Sequence, residues 1–168
     1  MTSKYLLRNF LVAIAFISVS CDSTSGQKAV DSTGVQVKVT KVIDGDTFWV
    51  ENKDKQRYKV RLTGLDAPEI TKSARKEIGP YGEKAKEYLT RMIDGKWIRM
   101  MRDVDSLDRY KRTLAYVYLE DGTFVNAELI RNGYAKVLTI PPNVKFADFF
   151  VKLQREAIER NRGLWKKN

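Results

Sequence analysis

The sequence predicts an α+β domain, a small closed barrel of five short strands carrying three helices. Three observations lead there. Apolar and polar residues alternate in several short runs separated by Gly, Asp and Pro turns, which is the two-residue period of half-buried strands. Three other stretches repeat apolar residues at helical spacing. Only one of these helices falls between strands, an order that suits a largely antiparallel barrel better than a βαβ sheet.

Val35, Val37 and Val39 alternate with Gln36, Lys38 and Thr40 and open a strand that runs to Ile43. Asp44-Gly45 is a turn signal, and Thr47-Phe48-Trp49-Val50 is the returning strand. Tyr58, Val60 and Leu62 alternate with Arg57, Lys59 and Arg61, giving a third strand with one apolar and one basic face. Residues 64–76 hold Ala67-Pro68 and follow neither period, so they read as a loop. Tyr81, Ala85, Tyr88, Leu89 and Met92 mark a helix that stops at Asp94-Gly95. Strands are expected over 97–102 and 114–119, with a tight turn at Glu120-Asp121-Gly122. A short helix fits 125–132, stopped by Gly133, and a last one places Phe146, Phe149, Phe150, Leu153 and Ala157 on one stripe before Gly163. An OB-type barrel is the architecture these elements fit best, and such barrels commonly bind nucleic acids or oligosaccharides. Fold alone does not fix function.

The first residues are not part of that domain. Lys4 and Arg8 precede an apolar run from Phe10 to Val19, and Cys21 follows small residues, so 1–20 read as a signal peptide too short to span a membrane. Cys21 stands where bacterial lipoprotein signals are cleaved and lipidated, with ordinary cleavage the alternative. Residues 21–34 are rich in Ser, Thr, Gly and Asp and read as a flexible tether, leaving 35–168 as the folded domain. The expectation is an exported protein, anchored to the cell envelope through lipid or secreted.

Composition narrows the chemistry. The chain has 168 residues with 31 Lys plus Arg, 21 Asp plus Glu, no His and one Cys. Without histidine there is no Ser-His-Asp or Cys-His catalysis and no His-ligated metal. One cysteine forms no intrachain disulfide. A formal charge of +10, lowered to +8 when residues 1–20 take away Lys4 and Arg8, favours a polyanionic partner, nucleic acid before an anionic membrane. Monomer is the default, since no oligomer seam is apparent.

Acidic residues are then the informative ones. Asp44 and Asp46 flank Gly45, and Asp66 and Glu69 flank Ala67-Pro68. Converging carboxylates suit a hard cation, Ca²⁺ or Mg²⁺, whereas taken singly the same residues serve as turn and cap formers. Arg61 and Arg112 add guanidinium forks of the kind that grip phosphate oxygens and stabilise charge developing on a phosphodiester, although Arg61 alone reads equally as an ion-pair partner.

Taken together and in order, Val42-Ile43-Asp44-Gly45-Asp46-Thr47, Val60-Arg61-Leu62 with Asp66-Ala67-Pro68-Glu69, and Asp108-Arg109-Tyr110-Lys111-Arg112 resemble the staphylococcal nuclease family over roughly residues 35–165. Val125-Asn126, Gly133-Tyr134-Ala135 and Gly163-Leu164-Trp165 look like family core positions. The resemblance implies an OB-fold endonuclease that uses Ca²⁺ to hydrolyse DNA and RNA. It implies that Asp46, Asp66 and the Ala67 carbonyl hold Ca²⁺, with Asp44 acting through water. Glu69 would orient or deprotonate the attacking water, Arg61 and Arg112 would grip the phosphate, and Arg109 and Tyr110 would contact the substrate's terminal phosphate. Three departures stand out: Ala67 where relatives often carry Thr, Lys111 where they carry Gly, and Thr139 and Pro141 where the best-known members carry nucleotide-contacting tyrosines. A non-catalytic nucleic-acid-binding barrel and a basic envelope protein that binds polyanions are the competing readings.

Overall fold

The structure, a computed structural model, describes residues 34–70 and 81–167. The expected signal peptide, lipidated Cys21 and tether up to residue 33 lie outside the described residues, as do residues 71–80, which include positions 71–76 of the expected loop.

Five strands close into a barrel in the order β1-β2-β3-β6-β5. They are β1 (Val35–Val42), β2 (Thr47–Glu51), β3 (Arg57–Leu62), β5 (Trp97–Met101) and β6 (Thr113–Tyr118). β1 closes it by serving two neighbours: Val35 to Lys38 pair with β5, while Lys38 to Val42 pair with β2 across a bulge between Val39 and Lys41. A bulge bends and twists its strand, and that is how one strand turns a barrel corner. The alternation that predicted the strands is the burial pattern. Val37, Val39, Phe48, Val50, Val60 and Leu62 fill the interior, while Lys38, Thr40, Trp49 and Lys59 beside them are more exposed and Thr47 at the start of β2 is buried as well.

Two features depart from the expectation of antiparallel strands around a plain loop. β3 and β6 pair in parallel, Val60 with Thr113 through Leu62 with Ala115, because the chain between them crosses over through α1 (Gly82–Ile93) and β5. Within the expected loop, β4 (Leu65–Asp66) pairs with β7 (Lys136–Val137), a two-residue ladder too short to leave a period in the sequence.

The helices lie against the barrel. α1 buries Ala85, Leu89 and Ile93 and ends at Asp94 before Gly95, as its spacing predicts. α2 (Val125–Arg131) is almost wholly interior. Its Asn126 is fully buried; the side chain accepts the Val117 N–H at 2.9 Å and donates to the Thr63 carbonyl at 2.9 Å, tying helix to barrel. α3 (Ala147–Glu159) buries Phe150, Leu153 and Ala157, but Phe149 of the expected stripe is 40% exposed and Phe146 caps the helix, packing edge-on against Tyr116 at 4.6 Å. A 3-10 turn, Gly163–Trp165, ends the fold. Among the described residues no helix is long and apolar enough to cross a membrane.

Candidate phosphate-binding active site

The β1–β2 turn sets the first acids. Asp44 Oδ1 accepts the N–H groups of Asp46 at 3.0 Å and Thr47 at 2.7 Å, an Asx-type turn that leaves Asp46 pointing inward, 2% exposed. Gly45 is required at the apex, since a Cβ there would stand 2.6 Å from Cβ of Ala67 and 2.8 Å from Cβ of Ala85. The turn therefore packs tightly on the Ala67 segment and on α1. Asp46 Oδ2 accepts the Ala67 N–H at 2.8 Å, its Oδ1 accepts the Thr47 hydroxyl at 3.0 Å, and its carbonyl accepts the Leu62 N–H at 2.9 Å.

Arg61 stands opposite Thr47 in the β2–β3 register. One terminal nitrogen donates to Asp46 Oδ1 and the other to Asp66 Oδ1 at 2.8 Å, so one guanidinium joins two carboxylates from separate loops. The β4–β7 ladder missed in the sequence is what fixes Asp66 there. Burial pushes the Asp46 carboxyl up to about 7; Arg61 and the Ala67 amide pull it down, and the neighbouring Asp44 charge adds to the upward push. Burial acts to lower the Arg61 pKa, but Asp46, Asp66 and Asp44 outweigh it and the net direction is upward, so the guanidinium is always charged.

The third motif supplies the opposite lip. Asp108 Oδ1 accepts the N–H groups of Tyr110 and Arg112, each at 2.9 Å, and Oδ2 accepts Arg112 Nε at 2.7 Å. These bonds hold the Asp108 carboxyl below its ordinary range although partial burial acts the other way. Arg112 also reaches Thr47 Oγ1 at 3.4 Å, which brings it to the Asp46 turn. Lys111 has φ +60°, a left-handed conformation that glycine adopts without cost, and its N–H still closes the turn on the Asp108 carbonyl at 2.9 Å. The replacement of Gly by Lys thus leaves the turn that aims Arg112 in place.

A cleft of about 740 Å³ opens over these groups, and Arg61, Asp66, Glu69, Arg109, Tyr110 and Arg112 line it. Glu69 is seated by Gly82, whose missing Cβ would lie 2.4 Å from the Glu69 carbonyl oxygen. The Arg109 and Arg112 guanidiniums lie 4.9 and 5.3 Å from the Tyr110 ring centre, a pre-set cationic rim. Asp44, Asp46 and Ala67 are not on the cleft wall; they stand behind Arg61. Asp108 and Thr47 are positioning residues that the sequence reading did not assign. An Asp four residues before Arg112, at the head of a turn, was the available signal. Of the two departures noted after Lys136, Pro141 lines the far wall beside Leu107, Leu138 and Ile140, and Thr139 does not.

With that geometry in place, the comparisons with known proteins can be stated. The family described as Staphylococcal nuclease homologue matches residues 59–167. The Thermonuclease of Staphylococcus intermedius is 32% identical over 166 residues, covering 99% of this chain and 97% of that protein. The chain belongs to the staphylococcal nuclease family. The Thermonuclease of Staphylococcus hyicus is 35% identical over 128 residues, 76% of this chain and 74% of the relative. Endonuclease YncB of Bacillus subtilis is 35% identical over 136 residues, 80% of this chain and 63% of the relative. As a family member, the chain carries the barrel and the three helices that the first motifs implied.

Proposed function

We propose that the chain is a Ca²⁺-dependent endonuclease that hydrolyses phosphodiester bonds in DNA and RNA with little sequence preference. The observation that carries it is the Arg61 guanidinium held between Asp46 and Asp66, with Arg112 anchored at the same mouth. Relatives named thermonuclease and endonuclease support the same reaction.

The donor set suits a hard divalent cation. Asp46 is an interior carboxylate whose ionisation burial disfavours, and a cation there would compensate its charge. Among the described residues no three acidic side chains group closely enough to enclose an ion. The two carboxylates that Arg61 joins, Asp46 and Asp66, would hold Ca²⁺ together with the Ala67 carbonyl and water, Asp44 acting through water, as the family resemblance implies, a shell of the kind Ca²⁺ accepts. When bound, the ion supplies charge neutralisation at the scissile phosphate.

The chain's own residues supply the rest. Arg61 and Arg112 present planar donors to the non-bridging phosphate oxygens and stabilise the extra negative charge as water attacks. Glu69, on the cleft wall, orients that water or takes its proton. The new P–O bond forms as the bond to the leaving oxygen breaks, and that oxygen collects a proton from solvent. Arg109 and Tyr110 hold the terminal phosphate. Every group belongs to one chain, so a monomer suffices. Export, with Cys21 lipidated or the chain released, would place the site outside the cytoplasm.

Degradation of DNA and RNA by the purified protein in Ca²⁺, in Mg²⁺ and in chelator tests the reading. Glu69→Gln is expected to lower turnover by at least ~100-fold, the usual scale of acid–base catalysis. DNA binding without any Ca²⁺-supported cleavage would refute it and favour a non-catalytic barrel.

A further inference from the structure

The outer wall of β1, β2 and β3 carries charge that the reaction does not use. On β3, Arg57, Lys59 and Arg61 alternate with the inward-facing Val60 and Leu62, so both cations share a face with the cleft arginine. The register sets Lys41 beside Trp49 and Trp49 beside Lys59, making one row across three strands. Lys59 Nζ lies 5.2 Å and the Arg57 guanidinium 5.9 Å from the Trp49 ring centre. Arg57 is held further by donating to Thr40 Oγ1 at 3.3 Å. Glu51, opposite Arg57 in the register, pairs with Lys55 at 3.1 Å, and Lys41 and Lys59 flank Trp49 one step further along β2.

Three properties distinguish this row from scattered surface lysines. It is continuous with the cleft, because each two-residue step along a strand is ~6.6 Å and Arg57 therefore lies ~13 Å from Arg61. That distance matches about four steps of a nucleic-acid strand at B-form rise. Two of its cations, Arg57 and Lys59, are also ordered in advance: long side chains resting on an indole lose less rotamer freedom when they bind phosphate. Finally, the β2–β3 wall is the surface that OB barrels generally offer to oligonucleotides.

We propose that Lys41, Arg57 and Lys59, set by Trp49, form a secondary track that holds the phosphate backbone of the DNA substrate beyond the bond cut in the cleft. The track rests on the nuclease reading for its purpose and is separable from it in experiment. Phosphate contacts of this kind position a strand without reading its sequence.

The test compares K41Q/R57Q/K59Q with K152Q/R155Q/R160Q, which removes the same charge from exposed positions on and just after α3. Binding to an end-labelled single-stranded DNA is followed by anisotropy in chelator, where no cleavage is expected, across a salt series. With ~0.7 in log–log salt slope per single-strand phosphate contact, the track variant should be shallower by about 2 and bind at least ~10-fold more weakly, the α3 variant changing little. Cleavage of long DNA should show a raised KM with kcat kept, and hydrolysis of a mononucleotide p-nitrophenyl phosphodiester should be unchanged. Equal losses in both variants, unchanged DNA binding, or an equal loss on the short diester would overturn the track. Loss of binding to phosphatidylglycerol vesicles with DNA affinity intact would assign the face to a membrane and overturn it too. A wild-type protein that binds through the track but never cleaves would refute the nuclease reading alone.

Discussion

Asp108→Ala asks whether Arg112 depends on being held in place. Asp108 fixes it through Nε at 2.7 Å and a second contact to a terminal nitrogen at 2.7 Å, while its other oxygen closes the loop on two backbone N–H groups. Removing the carboxylate has two opposed effects. It frees a cation that Asp108 partly neutralises, which favours phosphate. It also releases a long side chain whose rotamer freedom is worth ~1.5–2 kcal/mol, and the transition state must then bear that ordering cost. The first effect is limited, because Arg112, 24% exposed at the cleft mouth, turns to water for the hydrogen bonds it has lost with Asp108. The second should win, and ~1.5–2 kcal/mol corresponds to a ~10–30-fold lower kcat. Steady-state hydrolysis of DNA in saturating Ca²⁺ measures it, with KM nearly unchanged. Asp108→Asn keeps an acceptor for the loop amides and should fall between. An unchanged or faster kcat in the alanine variant would show that Arg112 needs no anchor.

Other substitutions probe the frame around the site. Asn126→Ala should cost ~3–5 kcal/mol in denaturant unfolding, because it orphans the buried Val117 N–H and Thr63 carbonyl and leaves a hole. Gly45→Ala forces Cβ into Ala67 and Ala85 and should lower stability by ~1–3 kcal/mol, with Ca²⁺ affinity measured by calorimetry falling as the Asp46 turn is displaced. Lys111→Gly relieves a left-handed residue but loosens the unfolded chain, so a gain of at most ~1 kcal/mol with kcat unaltered is expected. In metal-free protein the raised Asp46 pKa means the folded state holds a proton that the unfolded chain has released; stability should fall as pH rises from about 4 to about 7. Thermal unfolding with and without Ca²⁺ checks this, and Ca²⁺ should remove the loss.

The barrel was legible because burial alternates wherever a strand has one wet face. Val37, Val39, Val60 and Leu62, set apart from their neighbours by the period, are interior, as are Phe48 and Val50 of the strand read from the Asp44-Gly45 turn. Period says nothing about direction, so the parallel β3–β6 pair was invisible. A two-residue ladder has no period at all, which is why β4 was read as part of a loop and β7 was not assigned, although together they seat Asp66. The turn acids and both arginines were legible as types at fixed spacings, and the structure brings them to one place. Asp108 was in view as part of the third motif, but its task appears only when its oxygens are traced to Arg112 and the loop amides.

The far wall of the cleft shows the opposite case. The family resemblance set Thr139 and Pro141 at the nucleotide side; Pro141 lines the cavity together with Leu138 and Ile140, whereas Thr139 does not. The cleft therefore joins a cationic lip, fixed by hydrogen bonds, to an aliphatic wall that is largely exposed, Ile140 at 62% and Leu107 at 56%. Such a wall offers a base apolar contact without the ring-on-ring attraction of tyrosine or any group to read its edge. Discrimination among bases should consequently be weak, and binding strength should come from phosphates held by Arg61, Arg112 and the track on β1–β3. Exposed aliphatics can also be exchanged with little effect on the core. Leu138→Tyr should then tighten a bound mononucleotide while leaving unfolding free energy within ~0.5 kcal/mol, the range of surface substitutions.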